Sequence, residues 1–205
     1  MALVNRKDRK RIQQAVARAE SRTRGEFVAV IAKSADDYFF IPVLWAALLA
    51  LLLPAPFVLL EIALAPLSLY LAQLFVFICT AGLLLLPSLR HRLVPGFLKR
   101  QRARRLAREQ FVAQGVHVTR ERAGVLLFVA EAERYVEILA DAGINAKVAP
   151  DAWQHIVDDF LAAVRDGRTA DGLIGAIDAC GALLAAHFPA DAQDQNELPD
   201  RLVEI

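Results

Sequence analysis

The sequence predicts an α/β domain that is interrupted by a two-helix transmembrane hairpin. An apolar, β-branched run at 27–32 is typical of a buried strand, and further strand-like and helical segments follow from residue 124 onward. Between them, residues 38–87 carry a single formal charge, Glu61. One strand before this block and two or three after it are too few for two sheets. We therefore expect all the strands to share one sheet.

Residues 1–37 contain the first helix and strand of the α/β domain. Gly25 is expected to end the helix, and the run FVAVIA follows as a strand whose two faces are both buried. The apolar residues of the helix recur at i, i+3, i+4 and i+7, which is the pattern of an amphipathic helix: Ile12, Ala15, Val16 and Ala19.

Residues 38–87 are predicted to form the transmembrane hairpin. The uncharged stretches 39–60 and 62–86 are each long enough to cross a bilayer at about 1.5 Å per helical residue. Several prolines cluster within 54–66, where we expect the chain to reverse. Glu61 is then an interfacial residue at the turn, and the alternative is an intramembrane proton carrier.

Basic residues flank the apolar block on both sides. Residues 1–37 carry nine Lys and Arg against five acids, and the basic juxtamembrane segment and helix at 88–123 carry ten against two. The predicted turn has no Lys or Arg, so the positive-inside rule puts both termini and the α/β domain in the cytoplasm, at a bacterial inner membrane. The basic run is interpreted as a stop-transfer flank or as a surface along anionic headgroups. No nucleic-acid-binding motif accompanies it.

Residues 124–189 are expected to complete the α/β domain. They offer strands at 124–131 and 134–140 joined as a hairpin, a helix that starts at Pro150, and a last helix with Thr169 as its N-cap. The remaining residues, 190–205, are acidic and poor in aromatics. This composition predicts a disordered tail.

This order of elements resembles the TPM domain family, a small α/β/α module of thylakoid-lumen and bacterial membrane-associated proteins. The resemblance covers residues 5–34 and 103–188 and makes the hairpin an insertion after the first strand. It implies a mixed sheet of about four strands with helices on both faces. The stretches that carry it are IQQAVARAESRTRGEFVAVIA, AGVLLFVAEAERYVEILADAGI, PDAWQHIVDDF and DGRTADGLIGAIDACGALL.

The resemblance also implies an oxygen-rich cleft after the third strand, at ADAGINAKVAPDAW. Asp141, Asn145 and Asp151 are the candidate ligands there, for Ca²⁺ or Mg²⁺. Asn145 stands where the family usually has Glu, and Lys147 adds a positive charge, so the site is weakened. The alternatives are that Asp151 is a first-turn helix acid and that Asp141 is a turn residue.

Other catalytic patterns are weak. His155, Asp158 and Asp159 share a helical spacing that permits a general base, although a solvated helix face explains them better. The sequence has no nucleophile motif and no glycine-rich nucleotide loop, and Cys79 and Cys180 are expected to be packed thiols.

Family members have been described as acid phosphatases, as divalent-cation binders, or as assembly or repair factors. Because the acidic site is depleted, we predict a non-catalytic module that binds a membrane protein partner and helps assemble or maintain a membrane complex. The alternative is a divalent-metal-binding domain or a metal-dependent phosphatase that uses the three residues named above.

Overall fold

The structure is a computed structural model that describes residues 6–190, 197–198 and 202–205. It divides into an α/β unit, Met1–Ala35 with Arg100–Ile205, and an apolar unit, Asp36–Lys99. In chain order the elements are α1 (Arg6–Glu20), β1 (Glu26–Ala32), α2 (Phe40–Leu52), α3 (Ala55–Leu59), α4 (Pro66–Leu84), α5 (Pro87–Leu93), α6 (Gly96–Ala113), a 3₁₀ turn (Val116–Val118), β2 (Gly124–Ala130), β3 (Tyr135–Ala140), α7 (Ala142–Asn145), α8 (Pro150–Arg165), α9 (Thr169–His187) and β4 (Leu202–Glu204).

The α/β unit contains one four-stranded mixed sheet in the order β3-β2-β1-β4. The strand β1 runs parallel to both β2 and β4, and β3 is antiparallel to β2. The predicted strands before and after the apolar block are therefore neighbours, with Glu26 opposite Gly124 and Ala32 opposite Ala130. This confirms the predicted α/β class and its mixed sheet of about four strands.

Helices cover both faces of the sheet, which explains why β1 and β2 have continuous apolar sequences. Every residue of these two strands is buried. On one face, Phe27 and Leu127 pack with the apolar residues of α1, α8 and α9. On the other face, Val30 and Phe128 pack against Ala103 and other residues of α6. A strand that is covered on both faces has no polar side to alternate with.

The helices α1 and α9 approach closely because a glycine lies between them. A Cβ atom added to Gly181 would lie 2.7 Å from the Cβ of Ala19, which is too close for two carbon atoms. The predicted apolar stripe of α1 is confirmed, since its four residues are at most 1% exposed. Thr169 is the first residue of α9 and not its N-cap, a position that Arg168 occupies without a side-chain hydrogen bond.

The tail was predicted to be disordered over 190–205, and this is wrong for Leu202–Glu204, which form β4. Leu202 is buried, and the backbone continues the pairing beyond the strand: Ile205 N donates to Ile31 O (3.0 Å) and Lys33 N donates to Ile205 O (2.9 Å). The buried Glu26 carboxylate accepts hydrogen bonds from the N–H groups of Glu197 and Leu198. The acidic composition of the whole segment was misleading, because a strand of only three residues, Leu202–Glu204, is enough to pair with the edge of the sheet. The rest of the predicted tail, 191–196 and 199–201, lies outside the described residues.

The apolar unit consists of two antiparallel helical arms and a basic helix. The chain breaks at 60–65, within the predicted range 54–66, and Glu61 adopts a positive φ of 53° there. Gln73 Nε2 donates to Ala50 O (3.2 Å), which ties α4 to α2. At the base of the unit, Tyr38 is fully buried against Ile41 and Val94.

Among the residues that the structure describes, three helical segments are long and apolar enough to cross a membrane: Phe40–Leu59, Pro66–Leu84 and Thr169–His187. The third is α9, whose Leu173, Ile177 and Leu184 are buried in the core of the α/β unit. In contrast, α4 has no buried residue. Packing within the α/β unit therefore accounts for the apolar face of α9, whereas α4 has one half-buried face, which includes Gln73 and Phe77, and exposes its other apolar side chains.

Candidate functional site

Asp141 lies between β3 and the short helix α7 and is the N-cap residue of α7. Its Oδ1 accepts a hydrogen bond from Ala142 N (2.6 Å), the first N–H of the helix, and its own N–H donates to Gly124 O (2.9 Å). The residue is 8% exposed, and its Oδ2 is buried without a hydrogen-bond partner among the described residues. A buried carboxylate oxygen that lacks a donor is energetically costly, so Asp141 is the most distinctive of the predicted ligands.

Gly143 brings α7 against the turn that precedes β2. A Cβ atom at Gly143 would collide with the carbonyl oxygens of Glu121 and Arg122. The close approach holds α7 in place beside the end of the β2–β3 pair. It also explains why the DAGI stretch of the sequence contains glycine where a helix would otherwise favour another residue.

Asn145 and Lys147 have structural roles in this corner. Asn145 Nδ2 donates to the carbonyl oxygen of Ala140 (2.7 Å), which ties the end of α7 to the end of β3. Lys147 Nζ lies 4.0 Å from the ring centre of Phe188, at cation–π distance. The amide and the ammonium that weaken the predicted acidic site thus contribute to packing.

Asp151 lies in the first turn of α8, with an exposed side chain. This is the helix-dipole position that was the alternative interpretation of Asp151. Among the described residues, no group of three or more His, Cys, Asp or Glu side chains is close enough to hold a metal ion. Asp141 and Asn145 thus lie at the two ends of α7. Among the described residues, neither of them forms a hydrogen bond with Asp151.

His155, Asp158 and Asp159 lie on the exposed face of α8, opposite the buried Trp153, Ile156 and Phe160. Asp158 Oδ1 accepts a hydrogen bond from Gln154 Nε2 (2.9 Å). The arrangement is that of a solvated helix face. Cys180 is fully buried, and burial raises the pKa of its thiol to about 12, so it does not supply a thiolate nucleophile near neutral pH.

A polar pair that the sequence reasoning missed lies at the carboxyl ends of β1 and β2. Ser34 Oγ donates to Glu133 Oε1 (3.1 Å), and Glu133 is 9% exposed. The backbone continues the pairing past the strands, because Ala132 N donates to Lys33 O (3.1 Å). The sequence could have indicated this pair, since Ser34 and Glu133 follow two predicted strands and the carboxyl ends of adjacent parallel strands commonly bind ligands.

Next to this pair lies a cleft that we call the hairpin cleft. It is lined by the end of β2, the β2–β3 turn and the start of β3 on one side, and by the second half of α8 with Thr169 on the other. Its volume is about 640 Å³. Val129 and Phe160 form part of its apolar floor, and Arg134 and Arg165 are exposed side chains of its lining. Sequence reasoning missed the cleft because its two sides are about thirty residues apart in the chain.

The other face of β3 carries a small polar network. Tyr135 Oη donates to Glu137 Oε2 (2.9 Å), and Arg104 Nε lies 3.6 Å from Glu137 Oε1. Burial, followed by the hydrogen bond to Glu137, raises the pKa of Tyr135 above its ordinary value, so it stays a neutral donor. The network fixes the orientation of the outer strand relative to α6.

Comparisons with known proteins support the fold and the family. The sequence model of the TPM domain matches residues 91–183. No curated protein matches the chain. Among solved structures, the NMR structure of the BA42 protein from the psychrophilic bacterium Bizionia argentinensis is similar, with a TM-score of 0.62 and 19% identity over 98% of this chain and 95% of that chain. This likeness concerns the fold alone. The family match means that the chain contains a TPM domain, matched over residues 91–183.

Proposed function

We propose that this protein is anchored in a bilayer by its apolar unit and that its TPM domain is a cytoplasmic module that binds a membrane protein partner. The observation that carries the anchoring is the exposure of α2 to α4. Large apolar side chains such as Leu51, Val58 and Phe75 are about 70% exposed, and α4 buries none of its residues. Removing each such side chain from water is worth about 1.5 to 3 kcal/mol, so this surface favours a lipid environment.

The charge distribution supports the cytoplasmic orientation. The helices α5 and α6 follow the apolar arms and are rich in arginine, whereas the break at 60–65 has no Lys or Arg. Two crossings return the chain to the side on which it started, and the positive-inside rule makes that side cytoplasmic.

A reporter experiment tests this orientation. A reporter fused after Ile205 should give the cytoplasmic signal, and one inserted after Glu61 should give the periplasmic signal. The reverse pair of signals would refute the orientation. Equal signals from both fusions would refute the two crossings.

Partner binding is favoured over catalysis because the residues of the predicted metal site have other roles in the structure. Asn145 and Lys147 contribute to packing, and Asp151 is exposed in the first turn of a helix. A surface suited to a partner is the outer edge of β3, which pairs with β2 on one side and is half-buried along its length. A half-buried edge strand can accept a partner strand through its main-chain groups.

A photo-crosslinking amino acid at Ile138 tests this surface in the full chain in native membranes. We expect one discrete crosslinked product at Ile138 and none at Asp158, which lies on the solvated face of α8. Equal products at both positions, or none at either, would argue against a partner at this edge.

The second candidate function is divalent-cation binding, with or without phosphatase activity, and the unpaired Oδ2 of Asp141 favours it. The residues fit such an ion in part: Asp141 supplies a buried carboxylate oxygen, Asn145 retains its amide oxygen, and Asp151 is a further carboxylate. A bound Mg²⁺ or Ca²⁺ would act as a Lewis acid on a phosphoryl oxygen.

Calorimetry with Ca²⁺, Mg²⁺ and Mn²⁺ separates this candidate from the first. If it is correct, the wild type binds one of the ions, Asp141→Asn abolishes binding, and Asp158→Ala leaves it unchanged. Hydrolysis of a generic phosphomonoester that is lost in Asp151→Ala would extend the function to catalysis. Absence of binding by all three ions would leave the binding module as the remaining function.

A further inference from the structure

We propose that the hairpin cleft binds a small amphiphilic monocarboxylate, with its apolar chain inside the cleft and its carboxylate at Arg134 and Arg165. This goes beyond the proposed function, because it concerns a small ligand and a different surface from the outer edge of β3.

The size of the cleft suits a small molecule. The volume of about 640 Å³ lies within the range of about 300 to 1,000 Å³ that small-molecule sites occupy. All of its lining belongs to the α/β unit, so the cleft is a feature of one folded domain. A site of this size accommodates a medium-length chain or a single ring with its polar head.

The floor of the cleft is apolar. Val129 and Phe160 are 5% and 2% exposed and belong to the core, and Val136, Leu161 and Val164 are half-buried beside them. These side chains offer methyl groups and an aromatic ring to a ligand and no hydrogen-bonding group. Apolar floors of this kind favour an apolar ligand body, with affinity that increases with the area removed from water.

The rim of the cleft carries two exposed arginines. The side chains of Arg134 and Arg165 form no hydrogen bond or ion pair with any residue that the structure describes, whereas nearby Arg168 pairs with Asp166 (2.8 Å) and Arg104 lies 3.6 Å from Glu137. A free guanidinium matches the two oxygens of a carboxylate. Among the described residues of the lining, Glu131 is the one acid, so their formal charge is +1. This charge balances a monocarboxylate and leaves a phosphate dianion unbalanced.

The backbone helps to present the first arginine. Arg134 has a positive φ of 51°, and its N–H donates to Glu131 O (3.2 Å) to close the turn between β2 and β3. Residues other than glycine, asparagine and aspartate seldom adopt this conformation, and such positions concentrate at ligand-binding sites.

The test is photo-crosslinking of the full chain in phosphatidylcholine nanodiscs with a diazirine derivative of octanoate, followed by mass-spectrometric mapping. We expect labels on 129–136 and 160–165, and competition by unmodified octanoate. Because a charge-assisted hydrogen bond is lost with each arginine, the double variant Arg134→Gln/Arg165→Gln should raise the half-saturating probe concentration about tenfold or more. Val164→Phe, which fills the cleft without a change of charge, should reduce labelling independently.

The matched control is Arg168→Gln, since Arg168 lies close by but is paired with Asp166 and does not line the cleft. It should label like the wild type, and circular dichroism should show the same melting curve for all the variants. Equal labelling by the corresponding diazirine alcohol would show that the arginines do not select an anion and would overturn the proposal. Labels outside the cleft, or labelling that survives both the double variant and Val164→Phe, would overturn it as well.

Discussion

The two units of this protein are built from the same kinds of apolar residue and use them in opposite ways. In the α/β unit, Phe128 and Val30 are fully buried, whereas in the apolar unit Phe75 is 69% exposed and Leu51 is 70% exposed. By hydropathy alone, α9 would be a candidate membrane span like α2 and α4, because hydropathy depends on composition and not on burial. An apolar helix is therefore a candidate membrane span when its apolar side chains have few packing neighbours, and not because of its composition alone.

The largest expected effect comes from truncating one phenylalanine in each unit. Phe128→Ala should lower the free energy of unfolding of the α/β unit by about 3 to 5 kcal/mol, because it removes a fully buried ring and leaves a cavity. Phe75→Ala, in α4, should leave the same free energy within about 0.5 kcal/mol. Denaturant unfolding followed by Trp153 fluorescence in a Trp45→Phe background measures both. Similar losses in the two variants would remove the distinction between the units.

The next effect concerns insertion. Leu74→Arg, at the middle of α4, should reduce the membrane-inserted fraction, since an arginine at the centre of a spanning helix costs about 2.5 to 3.5 kcal/mol on insertion scales. Ala182→Arg, on the exposed side of α9, should not change it. Alkaline extraction of membranes reports the inserted fraction. A loss of insertion in Ala182→Arg would make α9 a third span.

A smaller effect is expected where the tail joins the sheet. Glu26→Gln should weaken the two hydrogen bonds from Glu197 and Leu198 by replacing a carboxylate acceptor with an amide, at a cost of about 1.5 to 3 kcal/mol. Amide hydrogen exchange at Val203 and Glu204 should then accelerate, while exchange at Val30 and Leu126 in the sheet centre should change less. Unchanged protection of β4 would mean that the Glu26 carboxylate does not hold the tail.

The smallest pair of effects tests helix packing in the α/β unit. Gly181→Ala should destabilise it by about 1 to 3 kcal/mol, because the new methyl group meets Ala19. Gly175→Ala, on the same helix, has open space and should stabilise the unit by up to about 1 kcal/mol through helix propensity. Thermal unfolding of the two variants measures both effects. If the contact between α1 and α9 were loose, both substitutions would stabilise the unit, which would contradict the close packing at Gly181.

Much of the fold follows from sequence because its signals are local. Continuous apolar runs predicted β1 and β2 as buried strands, and the hairpin spacing predicted β3 as the neighbour of β2. The strand β4 escaped prediction because three residues after an acidic segment carry no periodicity, and its place depends on a distant carboxylate, Glu26.

The candidate sites were less predictable because they depend on tertiary contacts. The sequence identified Asp141 as a special residue, yet its unpaired oxygen becomes visible only after burial is known. The roles of Asn145 and Lys147 depend on Ala140 and on Phe188, and the latter is 41 residues from Lys147 in the chain. The hairpin cleft forms only where the start of β3 lies beside the second half of α8, and no sequence motif predicts that contact.

The most direct test of the account is cysteine accessibility across the membrane. In a Cys79→Ala/Cys180→Ala background, Ala63→Cys lies in the break between the two arms and Asp158→Cys on the solvated face of α8. With a membrane-impermeant maleimide, we predict that Ala63→Cys is labelled in intact spheroplasts and that Asp158→Cys is labelled only in inverted vesicles. Labelling of both positions from the same side would contradict an α/β domain interrupted by a membrane hairpin.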